Sequence, residues 1–216
     1  MAFKMPNGTT FDIETARGTA TAFTGITNAN PAVVTATGHG LETGDVVVIT
    51  SGWSKLVNKG ARVTVIDADS FSLTGVDTSN TDLYPAGMGA GRMEIVSGFL
   101  QIPQITTPTA SGGEQQYATV GFLEDDNDIQ VPTTKSAATL SLPVADDETQ
   151  PYVSIVEAAD QDKLPRLVRA NLPNGSKIHY FGYVSITKTP TMTRNEIMMR
   201  TITVALLSEP TRFNPA

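Results

Sequence analysis

From Ile178 to Ile186 the side chains alternate in character residue by residue. Ile178, Tyr180, Gly182, Val184 and Ile186 fall on one side of an extended chain, with His179, Phe181, Tyr183 and Ser185 on the other. A period of two is that of a β-strand, and neither side carries a charge, so the run predicts a strand covered on both faces. Asn174-Gly175 lies between this run and another extended segment at 165–172, and Asn-Gly accepts the positive φ of a tight turn at little steric cost, which predicts a hairpin. Beyond Pro190, which cannot donate to a ladder, extended character resumes at 196–207 through Ile197, Met199, Ile202, Val204 and Leu206, and Glu209-Pro210 closes it. Three consecutive strands therefore frame the C-terminal half.

Composition agrees with a mainly β chain. Of 216 residues 40% are hydrophobic, enough for a core, while only 17% are charged; 18 glycines and 13 prolines suit strands joined by turns. A formal charge of -7 argues against affinity for phosphate backbones, which is drawn from Lys and Arg. The absence of cysteine excludes disulfides, thiolate metal sites and cysteine nucleophiles, and fits assembly in a reducing cytoplasm. The first residues lack the apolar core of a signal peptide and no run of about 18 apolar residues follows, so a soluble chain without membrane anchoring is expected.

Ahead of that frame, residues 10–14 read as a strand and 16–25 as a small-residue run. At Asn28 the texture changes to short strands at 32–36, 45–50, 61–67 and 70–74, bounded by Gly, Asn or Asp, a spacing that predicts a small β-barrel inserted over 27–96. The main domain then comprises 1–26 and 97–216. A strand at 98–103, a loose connector at 106–113, a strand at 115–123, an acidic loop and a strand at 138–142 follow, the region 115–140 forming a long hairpin arm. Asp146-Asp147-Glu148 ahead of Pro151, Val153, Val156 and Ala159 predicts the one substantial helix at 148–159.

The order of these features is similar to that of a known family. A strand, the phrase Pro173-Asn174-Gly175, an aromatic strand through Phe181-Gly182-Tyr183, a polar crossing, and a strand through Arg200-Thr201-Ile202-Thr203-Val204 ending in Glu209-Pro210 resembles the major tail tube proteins of lambda-like long-tailed bacteriophages. The resemblance covers roughly 104–210. It implies a tail-tube β-sandwich or barrel with one α-helix and hexameric rings stacked into a tube that conducts DNA without holding it tightly. It also implies a virion location, assembly in the host cytoplasm, and partners such as the tape measure and tail terminator. The phrases Gly38-His39-Gly40-Leu41 and Gly44-Asp45 within 27–96 resemble a β-barrel module known as the first catalytic cysteine half-domain of ubiquitin-activating enzymes. Without a cysteine that resemblance implies a fold only.

Side chains that carry chemistry in other proteins lack their partners here. His39, in a Gly-His-Gly loop, is expected to brace backbone, and His179 to pack as a ring. Glu124, Asp125, Asp126 and Asp128 lack the glycine and closing glutamate of a calcium loop and read as a solvated tip. Residues 87–92 lack the Lys-Ser/Thr ending of a phosphate cradle and read as a flexible return loop; no serine has nucleophile-elbow surroundings. The expectation is a protein that is not an enzyme and takes no cofactor or metal. Candidate subunit-interface residues are Tyr117, Val120, Phe122 and Leu123 with the acidic tip, together with Lys163, Arg166 and Arg169, which read as inter-subunit ion-pair partners or ordinary solvated charge rather than a nucleic-acid patch. Trp53 and Tyr84 are candidates for exposed barrel aromatics able to stack on a sugar, although single aromatics near loops are more commonly mini-core or lid residues. A second reading is a two-domain β protein, a minor tail component or adhesin-like module, whose Gly38-His39-Gly40-Leu41 barrel recognises a surface glycan or protein.

Overall fold

Pro173-Asn174-Gly175 makes the central hairpin, with a division of labour the sequence did not specify. Pro173 fixes the first corner, the Gly175 N–H donates to Leu172 O at 2.9 Å, and only Gly175, at φ 79°, takes the left-handed conformation. This is a three-residue connection with a glycine bulge rather than a two-residue turn. The computed structural model, which describes residues 5–124 and 126–214, builds outward from it. In chain order the elements are β1 (Thr10–Arg17), β2 (Thr21–Phe23), β3 (Gly25–Ile26), β4 (Ala32–Thr35), β5 (Val46–Ser51), β6 (Lys59–Asp67), β7 (Ser70–Thr74), β8 (Gly91–Ile102) and β9 (Thr109–Ser111). They continue with β10 (Gln115–Val120), β11 (Ile129–Lys135), β12 (Thr139–Ala145), α1 (Pro151–Asp162), β13 (Arg166–Asn171), β14 (Lys177–Ile186), β15 (Met199–Leu206) and β16 (Thr211–Phe213). The fold is mainly β.

The body follows the antiparallel order β8-β1-β13-β14-β15-β12-β9. Its core takes Ile13 from β1, Leu140, Leu142 and Val144 from β12, Val184 and Ile186 from β14, and Ile202 and Val204 from β15. Helix α1 turns Tyr152, Val153, Val156 and Ala159 into the same core, one face at helical spacing. The helix begins at Pro151, later than the expected 148, because Asp147 is already committed. Its Oδ1 accepts from the Thr149 N–H at 3.0 Å and its Oδ2 from Gln150 Nε2 at 2.8 Å, a turn that ends before the helix can start. The expected connector at 106–113 is partly ordered, since β9 pairs along β12 from Ser141↔Thr109 to Thr139↔Ser111.

Six β-paired segments close a ring ahead of the body. The path β3-β4-β7-β6-β5-β8 is completed when β2 pairs back onto β8 through Thr21↔Met93 and Phe23↔Gly91, so the extended segment 21–26 touches both ends. Its closing strand starts ahead of the boundary expected at residue 27. The far boundary, expected between residues 96 and 97, falls inside β8, whose first half pairs β5 and whose second half pairs β1. Within 87–92, expected as a flexible return loop, Gly89 and Gly91 approach their neighbours closely while Met88 stays exposed. A Cβ on Gly91 would lie 2.2 Å from Thr50 O and one on Gly89 3.0 Å from the Trp53 ring, so only glycine lets this segment approach.

The run Val46-Val47-Val48-Ile49 is buried on both faces, as a continuous apolar run requires. Val47 and Ile49 enter the ring's core, while Val46 and Val48 meet Val96, Leu167 and Phe181 in a separate cluster that fastens ring to body. This explains β14. His179 and Phe181 are covered by that seam, whereas Tyr183 and Ser185, beyond it, are exposed, so coverage of both faces holds for the first half of the strand only. Arg17 closes the seam polarly, with Glu14 at 2.8 Å, Glu94 at 3.3 Å and Pro165 O at 2.7 Å.

Candidate assembly surface

Among the described residues the hairpin β10–β11 pairs only with itself, apart from the large sheet. Its register, Ala118↔Val131 and Val120↔Ile129, puts directly opposed residues on one side, so Ala118, Val120, Ile129 and Val131 make one aliphatic face. Tyr117 opposes Pro132 on the other side. Every residue of β11 is exposed; Val120 is 38%, Ile129 53% and Val131 46% accessible, and Phe122 and Leu123 at the tip are exposed as well. A lone two-stranded ribbon is marginal in water, and apolar groups grouped on one face of it mark an interaction surface. The base is held firmly: Lys135 pairs with Glu209, the Gly113 N–H donates to Ser136 O at 3.2 Å, and the Ser136 N–H to Glu114 O at 2.9 Å. Glu124, Asp126 and Asp128 are exposed at the tip, and Asp125 lies outside the described residues. Among the described residues no cluster of His, Cys, Asp or Glu is arranged to hold a metal ion.

Two of the basic interface candidates are engaged inside the chain. Arg169 sends Nε and Nη2 to Asp12 Oδ2 at 3.0 and 2.6 Å and lies 3.8 Å from the centre of the Phe99 ring; Arg166 Nη2 reaches Asp162 Oδ2 at 2.6 Å. Within the subunit both guanidinium groups have acidic partners. Lys163 ends α1 with φ 52° and makes no ion pair with a described residue. Trp53 is not an exposed aromatic: it is 2% accessible, donates from Nε1 to Pro85 O at 2.8 Å, and meets the half-buried Tyr84 edge to face at 5.2 Å. An indole with an apolar body and one polar tip is satisfied in such a core, which leaves no platform for a sugar.

The histidines divide as their surroundings dictate. His39 braces its loop, with Nδ1 accepting from the Leu41 N–H at 3.0 Å and Nε2 lying 3.0 Å from Asp67 O. His179 is buried without a hydrogen bond at either ring nitrogen. Burial first, then the positive charges of Arg169, Lys177 and Arg62, push its pKa from 6.5 down to about 3. The unfolded chain takes up this proton below pH 6.5 and the folded chain does not, so stability is fully present above pH 6.5 and is lost as acid is added, down to about pH 3. The slope is about 1.4 kcal/mol per pH unit. We expect the stability advantage of wild type over His179→Phe, read from urea midpoints, to shrink by about 2 kcal/mol between pH 7.5 and pH 5. An advantage independent of pH would show that His179 titrates as an exposed residue.

Residues 51–215 match the family model described as phage tail tube protein, TTP. The chain belongs to the phage tail tube protein family. Its match begins at the end of β5, inside the ring, so the family resemblance extends further toward the N-terminus than residue 104. Among solved structures the chain is similar to a chain of the cryo-EM structure of the anti-feeding prophage (AFP) baseplate, 6-fold symmetrised, at 10% identity and a TM-score of 0.40. The likeness covers 55% of this chain and 86% of that one. A search of curated proteins found no match. As a tail tube family member, the protein is a structural component of a phage tail.

Two parts of this tail protein's surface went unread in the sequence. Ile129 and Val131 complete the arm's aliphatic face, and the alternation Ile129-Gln130-Val131 opposite Ala118-Thr119-Val120 is the signal that could have found them. The β14–β15 connection exposes Met192 at 74% and Ile197 at 77%; the sequence reading had placed Ile197 in a strand that starts only at Met199. Among the described residues the body sheet also has free edges: β8 from Gly98 to Ile102 pairs only β1, and the short β9 pairs only β12.

Proposed function

We propose that this tail tube family member assembles with copies of itself as stacked hexameric rings, forming the tube of a lambda-like tail that conducts DNA to the host. The observation that carries the reading is the arm's aliphatic face, fully formed and without an intramolecular partner among the described residues. The free edges of β8 and β9 support it, because edge-to-edge pairing between subunits would cover them. In this reading the ring of strands within 21–96 is a module added to the body on the tube exterior, and α1 lies on the outside of the wall. Tape measure and tail terminator proteins are its tail partners, assembly takes place in the host cytoplasm, and the subunit performs no catalysis.

The net charge of -7 suits a conduit, since an acidic wall repels phosphate and limits sticking. The burial of Trp53 removes one candidate sugar contact from the adhesin-like alternative. Negative-stain images of concentrated protein test the proposal: rings and hollow tubes that leave the mobility of duplex DNA unchanged are expected. Monodisperse single particles at every concentration would refute it.

A further inference from the structure

Where the strand ring meets the body, a cavity of about 250 Å³ opens between β6 and β14. Arg62 enters it from the ring, and Arg169, Lys177 and His179 from the body. Asp12 is the acid beside them, and it is committed to Arg169 at 2.6 Å and to Asn171 Nδ2 at 2.7 Å. Arg62 and Lys177 form no ion pair with any described residue, so two cationic side chains share a small space without a counter-charge. His179 is 4% accessible and neither ring nitrogen has a hydrogen-bond partner, while Phe213 covers its ring at 4.7 Å between centroids. Whichever tautomer it adopts, a buried imidazole N–H is left to donate, and a buried donor is ordinarily matched by an acceptor.

We propose that this cavity binds a small oxyanion of the phosphate class. The Arg62 guanidinium supplies charge-assisted hydrogen bonds, the exposed Lys177 ammonium closes the mouth, and the buried His179 ring forms part of the wall behind them. Each requirement is specific to an anion: a cation would face three positive side chains, and a neutral ligand would leave Arg62 and Lys177 repelling each other. Because Arg62 lies on β6 and His179 and Lys177 on β14, the bound anion fastens the strand ring to the body at a second point beside the Val48–Leu167–Phe181 cluster. Binding to the folded state alone raises apparent stability by mass action.

The probe is inorganic phosphate, added to the full-length subunit against chloride at matched ionic strength. The thermal midpoint is expected to rise saturably with phosphate, and Arg62→Ala/Lys177→Ala to weaken the apparent phosphate affinity at least ten-fold. The chain has two histidines, so imidazole nitrogen resonances give a site-resolved second reading: phosphate should shift those of His179 and leave those of His39 in place. The proposal is overturned if phosphate stabilises wild type and the double variant equally. It is also overturned if His179 resonances are unmoved at saturating phosphate.

Discussion

Replacing Val120, Ile129 and Val131 together by serine is expected to give a subunit that unfolds at the wild-type denaturant midpoint yet forms no long tubes. The three side chains are 38%, 53% and 46% accessible and lie on a ribbon that adds nothing to the body's core, so their removal leaves the fold within about 0.5 kcal/mol. At a subunit contact the same side chains become buried, and each lost aliphatic group removes on the order of 1 kcal/mol per contact. Three such losses weaken one contact by roughly a hundred-fold, and a stacked tube repeats the contact in every subunit. Neutralising Glu124, Asp126 and Asp128 should matter far less, because exposed charges contribute roughly 0 to 1 kcal/mol. Assembly followed by light scattering and electron microscopy checks both. Normal tubes from the triple-serine chain would show that the arm's aliphatic face is not a subunit contact.

Arg200→Ala is expected to be the most damaging single substitution to the fold. On β15 the inward positions are Arg200, Ile202 and Val204, so a guanidinium 4% accessible stands where an aliphatic residue would be usual. Its Nε lies 2.7 Å from Asp146 Oδ1, and Glu157 of α1 lies 3.7 Å from Nη1, which ties the helix and its approach to the sheet. Removing the arginine leaves the largely buried Asp146 carboxylate without its counter-charge, a loss of about 3 to 5 kcal/mol and a fall in melting temperature of about 10 °C. Arg200→Leu/Asp146→Leu should recover most of it, since an apolar pair of similar volume needs no compensation. Calorimetry separates the outcomes: a single variant within about 1 kcal/mol of wild type would mean that the pair is solvated.

How far the sequence could be read depended on whether a signal was local. Ser70–Thr74 is observed with the ends expected of it, and the β13–β14 hairpin lies where Asn174-Gly175 placed it, because turn chemistry and alternation are properties of neighbouring residues. His39 bracing its loop was legible for the same reason. What escaped depends on residues far apart in the chain. The length of β8 is set by two partners, β5 and β1. The pairing of Arg169 depends on Asp12, and the ring closure on Thr21 meeting Met93. The arm shows both cases: its hairpin form was readable from the polar tip, whereas the face shared by Val120, Ile129 and Val131 requires the register. Arg200 was hidden because a charge at an inward position reads as an outward one until its acidic partners are known.

Hydrogen exchange along 115–135, compared between the free subunit and the assembled tube, is the most direct measurement of whether this arm is an assembly surface. Ordering such a ribbon against a neighbour fixes backbone at about 1 to 2 kcal/mol per residue, so its contacts must bury the aliphatic face to hold it. Amides of β10 and β11 should exchange rapidly in the free subunit and become strongly protected in the tube, while the body's central strands β13 and β14 are protected in both. Equal protection of the arm in the two states would contradict the account.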